Sequence, residues 1–163
     1  AVALACLNFV QRYEADEWAL KWPNDLYWRD RKAAGILIEN IIKGKEWVFA
    51  VIGVGMNLNQ DSFPPGLSKA VSVKQITNKT FEPLALAGDL VKAIGAQIDV
   101  LKGDPGIILE MFNKSLYKRG EIIKLKQGNI QFETRIKRVN TAGLLEMEDG
   151  RAFKHGEVEF VFG

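Results

Sequence analysis

The sequence has very few of the residues that define several large protein classes. Its 163 residues include one cysteine, Cys6, so no disulfide can form within the chain and a reducing compartment is expected. There is a single histidine, His155, and no group of His, Cys and carboxylate residues has the spacing of a metal site. No apolar run reaches the roughly 18 residues that a membrane span needs. These absences predict a cytoplasmic protein that does not span a membrane.

An excess of charge of either sign is also lacking. The chain has 22 Lys and Arg residues against 20 Asp and Glu residues, a balance that argues against a protein built to bind a nucleic-acid backbone. Its 47% hydrophobic and 26% charged residues are globular values and exclude disordered, collagen-like and coiled-coil chains. No methionine precedes Ala1, and residues 1–7 resemble the interior of a helix without a cap. This beginning predicts that the chain is part of a longer protein.

The pattern of apolar residues predicts helices, then short strands. Two strands should form a hairpin, at Gly35–Ile42 and Trp47–Ile52, after a short strand at Trp18–Lys21. Helices are predicted over 1–14, from Pro83 to about Leu101, and near 107–117, whereas 60–82 should be irregular. The helix that begins at Pro83 is predicted to pack against the core through an apolar stripe of Leu84, Ala87, Leu90, Val91, Ile94, Ile98 and Leu101.

After Arg119–Gly120 the pattern changes to five short apolar runs separated by turns. The runs are 121–126, 131–138, 143–147, 151–154 and 157–162. Short strands with a turn about every ten residues are typical of a small barrel. We therefore predict two domains, 1–117 and 118–163, with the boundary near residue 118.

Three segments could carry chemistry, and each has an ordinary structural alternative. Lys21-Trp22-Pro23-Asn24-Asp25 is either a strand end with a turn or a set of binding groups on a loop. The run of charged residues 29–32 is either solvated surface, or it ends in a cation, Lys32, that faces a pocket beside Gly35. Gly53-Val54-Gly55-Met56-Asn57 is neither a dinucleotide fingerprint nor a phosphate-binding P-loop, and alone it favours a strand end.

In this order and spacing the three segments resemble the central motifs of biotin protein ligases. The resemblance implies an α+β fold: a class II aminoacyl-tRNA-synthetase-like and biotin-ligase-like mixed sheet with helices, truncated at its N-terminus, followed by a small SH3-like β-barrel. It also implies an enzyme that uses ATP, Mg²⁺ and biotin. Such an enzyme joins biotin to a lysine of a biotin carboxyl carrier protein, such as an acetyl-CoA carboxylase subunit, through biotinyl-5′-AMP.

The same resemblance assigns a role to individual residues. Lys32 matches the essential lysine, beside the biotin carboxylate and the α-phosphate, and Asp25 matches a catalytic residue that also lies on the metal side. Trp22 is expected to support packing. The residues implied to bind biotin are Lys32, Gly35, Leu37, Gly53 and Val54. The residues implied to bind the nucleotide are Asn24 and Asn57.

One family motif has no counterpart in these residues. Biotin protein ligases carry a Gly-Arg-Gly-Arg-x-Gly-Arg loop before these segments, and no such run occurs here. We therefore predict that the 163 residues alone have little or no ligase activity.

Two alternatives stay open, a lipoate-ligase-like acyltransferase and a non-catalytic binding or regulatory module. A homodimer formed by sheet pairing is allowed, and nucleic-acid binding would require an N-terminal winged helix. No role is assigned to His155 or to the barrel.

Overall fold

The computed structural model describes residues 1–162, which form two β-sheets with four α-helices. The first sheet follows helix α1 and the second follows helix α4. The helices are α1 Val2–Val10, α2 Val73–Thr77, α3 Pro83–Gly103 and α4 Pro105–Lys114. The strands are β1 Trp18–Lys21, β2 Asp25–Trp28, β3 Arg31–Lys43, β4 Glu46–Met56, β5 Ile122–Gln127, β6 Ile130–Val139, β7 Leu145–Met147, β8 Ala152–Phe153 and β9 Glu159–Val161.

The first sheet has the order β1-β2-β3-β4, so that each strand pairs with its sequence neighbour. The predicted hairpin of β3 and β4 is confirmed, and it extends beyond both predicted ends. The prediction of a mixed sheet is wrong for the described residues, because every strand pair in this sheet is antiparallel. Short turns connect the strands, and a two-residue or three-residue turn can only join antiparallel neighbours.

One face of the first sheet carries the larger hydrophobic core. Side chains alternate along a strand, so Leu20, Leu26 and Ile36 point to the same face, where all are at most 4% exposed. Helix α1 covers this face with residues that include Phe9 and Cys6, and the predicted core position of Cys6 is confirmed. The opposite face of the sheet is therefore left for other contacts.

The helices after the first sheet agree with the prediction only in part. Helix α3 begins at Pro83 as predicted, but its predicted stripe is wrong at three positions, since Leu84 is 82% and Val91 69% exposed and Ala87 is also exposed. Leu90, Ile94 and Leu101 of the predicted stripe do pack on the core, and so does Leu86, which was not predicted. The region 60–82 also contains the unpredicted helix α2, whose N-terminus is fixed by a capping box between Ser72 and Gln75.

The five predicted runs at the end of the chain are confirmed as strands β5 to β9. They form a sheet of order β8-β7-β6-β5-β9, with antiparallel pairing throughout. Within residues 1–162 no ladder joins β8 to β9, so the predicted closure into a barrel is not observed. The sheet encloses its own hydrophobic cluster, centred on Leu125, Ile136 and Leu145.

The predicted boundary near residue 118 falls between α4 and β5, and it stays a prediction. Among the residues described, one side chain of the first sheet region joins the buried residues of the second cluster: Trp22 is 6% exposed and packs among the residues of the second sheet. Its indole Nε1 donates a hydrogen bond of 3.0 Å to the carbonyl of Gly143. Among the described residues, no helix has both the length and the apolarity needed to cross a bilayer.

Replacing this tryptophan tests how strongly the two sheets depend on each other. We expect Trp22→Phe to lower the free energy of unfolding by about 1–2 kcal/mol, because it removes one hydrogen bond and some buried volume. Urea denaturation measures the change. Trp47→Phe is the matched control: Trp47 is 63% exposed, so its change should stay within about 0.5 kcal/mol. Equal losses in the two variants would contradict a bridging role for Trp22.

Candidate functional site

The candidate site lies on the face of the first sheet that α1 does not cover. The register aligns Lys21 with Asp25, Asp25 with Gly35, and Gly35 with Gly55, a row that crosses all four strands. Directly paired residues point to the same face. One step along the sheet, Leu37 pairs with Gly53 on that face. The three sequence segments therefore meet on one surface.

Lys32 reaches this face only because β3 contains a bulge. Leu26 pairs with Ala34 but Tyr27 pairs with Lys32, so Ala33 is an extra residue without a partner on β2. In a regular strand, residues three apart point to opposite faces, and Lys32 would then face away from Gly35. The bulge reverses the alternation and puts the Lys32 side chain over the row of paired residues.

An ion pair forms the centre of the site. The Lys32 ammonium lies 2.6 Å from Asp25 Oδ1, with the lysine side chain 45% and the aspartate side chain 16% exposed. A Cβ atom on Gly35 would lie 3.3 Å from Lys32 Nζ and 3.5 Å from Asp25 Oδ1. Glycine at position 35 therefore leaves just enough room for the pair to sit against the backbone.

Glycines also form the floor beside this ion pair. A Cβ atom on Gly53 or Gly55 would meet no atom closer than 3.9 Å, so packing within the protein does not demand glycine at either position. The floor borders an open cleft of about 470 Å³, a volume within the usual range for small-molecule sites. The cleft is lined by Asn24, Asp25, Lys32, Gly35, Ile36, Leu37, Gly53, Val54 and Gly55.

Most of the residues predicted for the site line this cleft, but two have a different surrounding from the one predicted. Val54 borders the cleft, yet its side chain packs with the hydrophobic core on the other face. Asn57 does not line the cleft: its amide Nδ2 lies 3.4 Å from the Lys32 carbonyl and 3.3 Å from the Val71 carbonyl. Asn24 does line it, and its Nδ2 donates to the Ile36 carbonyl at 2.5 Å.

The cleft continues past Asp25 toward the second sheet. This part has a volume of about 450 Å³ and runs from Lys21 and Lys32 to His155, Glu159 and Phe160. The Lys21 ammonium lies 4.3 Å from the ring centre of Phe160 and 5.3 Å from that of Tyr27. Burial lowers the pKa of Lys21, an effect that Asp25 opposes and Lys32 reinforces. A second cation thus lies next to the ion pair.

Several residues of the site were not found from the sequence. Arg31 and the segment 69–71 contact each other across 39 positions of the chain, and no local pattern signals such a contact. Phe160 was predicted only as part of a strand, although its ring covers Lys21. His155 packs edge-on against Trp22, with ring centres 6.4 Å apart.

The cleft does not have the composition of a metal centre. Within residues 1–162 no group of three or more His, Cys, Asp or Glu side chains could hold a metal ion. Asp25 is the carboxylate closest to the glycine floor, and its Oδ1 already faces the Lys32 ammonium. A second cation at the same oxygen would be repelled by the first. The residues present therefore do not fit a Mg²⁺ ion held by the protein.

The segment that forms this surface is similar to known proteins. Residues 2–57, which include α1 and the glycine-floored sheet, match the family model of the Biotin/lipoate A/B protein ligase family. In this segment the chain is similar to members of that family. The Bifunctional ligase/repressor BirA of Escherichia coli is 40% identical over 57 residues, which are 35% of this chain and 18% of that protein. The Biotin--[acetyl-CoA-carboxylase] ligase of Paracoccus denitrificans is 33% identical over 87 residues, 51% of this chain and 34% of that protein.

Solved structures extend the similarity beyond the matched segment. The Biotin protein ligase from Aquifex aeolicus in complex with biotin and ATP is 21% identical, has a TM-score of 0.79, and is matched over 99% of this chain and 69% of its own. At this identity the likeness establishes the biotin-ligase fold for both sheets. In sequence the chain matches about a fifth to a third of the length of these two curated relatives of the family.

Proposed function

We propose that the chain carries the catalytic site of an ATP-dependent biotin ligase, which joins biotin to a lysine of a biotin carboxyl carrier protein. The observation that carries this proposal is the Lys32–Asp25 ion pair, held over a floor of three glycines. The family match and the relatives named as biotin ligases support it. A flat bicyclic ligand can lie directly on a backbone without Cβ atoms. Leu37, 60% exposed on the same face, would contact its apolar chain.

In the first step of the proposed reaction, the biotin carboxylate attacks the α-phosphorus of ATP. A bond forms between the carboxylate oxygen and phosphorus, pyrophosphate leaves, and biotinyl-5′-AMP results. Two anionic groups must approach each other, so a fixed cation between them lowers the barrier. The Lys32 ammonium, fixed by Asp25 and half-exposed to the cleft, is suited to contact both groups. Lys21, one position away in the register, adds positive potential.

In the second step, the amine of the carrier lysine attacks the carbonyl carbon of the adenylate. An amide bond forms, AMP leaves, and the nitrogen loses a proton. Asp25 Oδ1 lies at the point where the two parts of the cleft meet, because Asp25 lines both of them. We propose that Asp25 orients the incoming amine there. The exposed Asn24 at the same edge is proposed to contact the nucleotide.

Mg²⁺ enters this proposal only as part of the substrate MgATP, because the residues present do not fit a protein-held ion. We also propose that these 163 residues alone transfer little or no biotin, since they include no Gly-Arg-Gly-Arg motif. Comparing the chain with the whole product of its gene tests this point. Equal rates of biotin transfer would contradict it.

Two partners of the chain are proposed, a carrier protein and a second copy of the chain. The part of the cleft between Asp25 and Glu159 is open and could receive a lysine side chain. Strand β4 is an edge of the described sheet and exposes Trp47, Phe49 and Val51. An exposed apolar edge can pair with a second copy, which supports dimerisation through the sheets.

The experiment that tests the function is biotin-dependent exchange of pyrophosphate into ATP by the whole gene product, run in parallel with lipoate. We expect exchange with biotin and at most weak exchange with lipoate, since the glycine floor is short and suits a compact ring. Stronger exchange with lipoate would identify a lipoate-ligase-like enzyme. Binding of biotin without any exchange would identify a non-catalytic module.

A further inference from the structure

The bulge at Ala33 is held in place by groups that lie outside the cleft. The carbonyl of Ala33, which has no partner on β2, accepts a hydrogen bond of 2.8 Å from the backbone N–H of Asn57, one residue beyond the end of β4. On the other side, residues 69–71 run parallel to Lys32: its N–H donates to the Lys69 carbonyl at 2.6 Å, and its carbonyl accepts from the Val71 N–H at 2.9 Å. Both backbone groups of Lys32 are therefore bonded to segment 69–71.

The Arg31 side chain ties this segment to the strand that carries Lys32. The guanidinium of Arg31 donates twice to the Ala70 carbonyl, from Nε at 3.1 Å and from Nη2 at 2.7 Å. Lys32 and Ala70 form a parallel bridge directly beside this contact. Because segment 69–71 is not part of either sheet, these bonds are what fix it against β3.

We propose that Arg31 is a positioning residue for Lys32, a role that rests on the proposed function of Lys32. By fastening segment 69–71 beside the bulge, Arg31 keeps Ala33 looped out and the Lys32 side chain on the face of Asp25. Without the clamp, β3 can relax toward regular alternation, which turns Lys32 away from that face. Asn57 supports the same arrangement, because its N–H donates to the Ala33 carbonyl and its side-chain Nδ2 donates to the carbonyls of Lys32 and Val71.

The test uses Arg31→Gln and two readouts that need no ligand. The first is the rate at which an amine-reactive reagent acetylates Lys32, measured by mass spectrometry against the exposed Lys124 of the same molecule. Loss of a half-exposed ion pair should raise the rate by about two- to fivefold. The second is hydrogen exchange of the Val71 amide, which should accelerate while that of Leu26 in the sheet is unchanged.

Two further variants separate positioning from charge and from general stability. Arg29→Gln removes the same charge two residues away, where Arg29 pairs with Glu17, and should leave both readouts unchanged. Arg31→Lys keeps a donor for the Ala70 carbonyl and should restore part of the protection of Lys32. The proposal is overturned if Arg31→Gln leaves Lys32 acetylation unaltered, or if exchange rises equally at Leu26 and Val71.

These readouts also separate this proposal from the proposed function. If Arg31→Gln exposes Lys32 as expected but the wild-type protein shows no biotin-dependent exchange of pyrophosphate, the positioning is correct and the ligase function fails. If exchange occurs and Lys32 acetylation does not respond to Arg31→Gln, the ligase function stands and Arg31 is not the positioning residue.

Discussion

Lys32→Ala is expected to abolish adenylate formation in the whole gene product while leaving the fold intact. Removal of a single fixed group that stabilises transition-state charge costs on the order of 10²–10³ in kcat, and Lys32 is the cation that lies over the glycine floor. Its side chain is 45% exposed, so the free energy of unfolding should change by less than about 0.5 kcal/mol. Pyrophosphate exchange and urea denaturation measure the two effects.

A matched lysine provides the control for this result. Lys45 lies in the exposed turn between β3 and β4, and Lys45→Ala removes the same charge without touching the cleft. Its exchange activity should equal that of the wild type. A fall in melting temperature in Lys32→Ala that accounts for the loss of activity would contradict the charge-stabilising role.

Gly35→Val is expected to weaken biotin binding by about 10- to 100-fold, because it overpacks the centre of the site. The first added carbon would already lie 3.3 Å from Lys32 Nζ and 3.5 Å from Asp25 Oδ1, and the two methyl groups beyond it would occupy the floor of the cleft. Both the ion pair and the surface for the ring are disturbed by one change. Titration calorimetry with biotin measures the affinity.

The control for this variant is a glycine with the same substitution and free space around it. A Cβ atom on Gly66 would have nothing within 4 Å, and Gly66 lies outside the cleft. Gly66→Val should therefore bind biotin as the wild type does. Unchanged affinity in Gly35→Val would reject the idea that the ligand lies against the backbone at this position.

The elements of this fold were largely predictable because their signals are local. Strand β1 and the start of α3 at Pro83 follow from apolar spacing and from proline at a first helical turn. Strand β2 was missed, since Asp25 follows a turn directly and only four residues remain before the next turn. Closure of the second sheet into a barrel was predicted from the run of short strands and is not observed within residues 1–162, because pairing between distant strands leaves no local mark.

The candidate site was predictable in its residues but not in its geometry. The motifs named Lys32, Asp25 and Gly35, and the structure brings these three together. The residue spacing alone would put Lys32 and Gly35 on opposite faces, and only the bulge at Ala33 reconciles them. The bulge depends on contacts with residues 69–71, which no sequence pattern near Lys32 reveals.

The most direct test of the proposed site is a crystal structure of the whole gene product with a non-hydrolysable analogue of biotinyl-5′-AMP. The account predicts that the bicyclic ring lies on Gly35, Gly53 and Gly55, with Lys32 Nζ within hydrogen-bonding distance, about 3 Å, of the group that replaces the phosphate. An analogue bound elsewhere, or bound on the glycine floor with Lys32 turned away from it, would contradict the account.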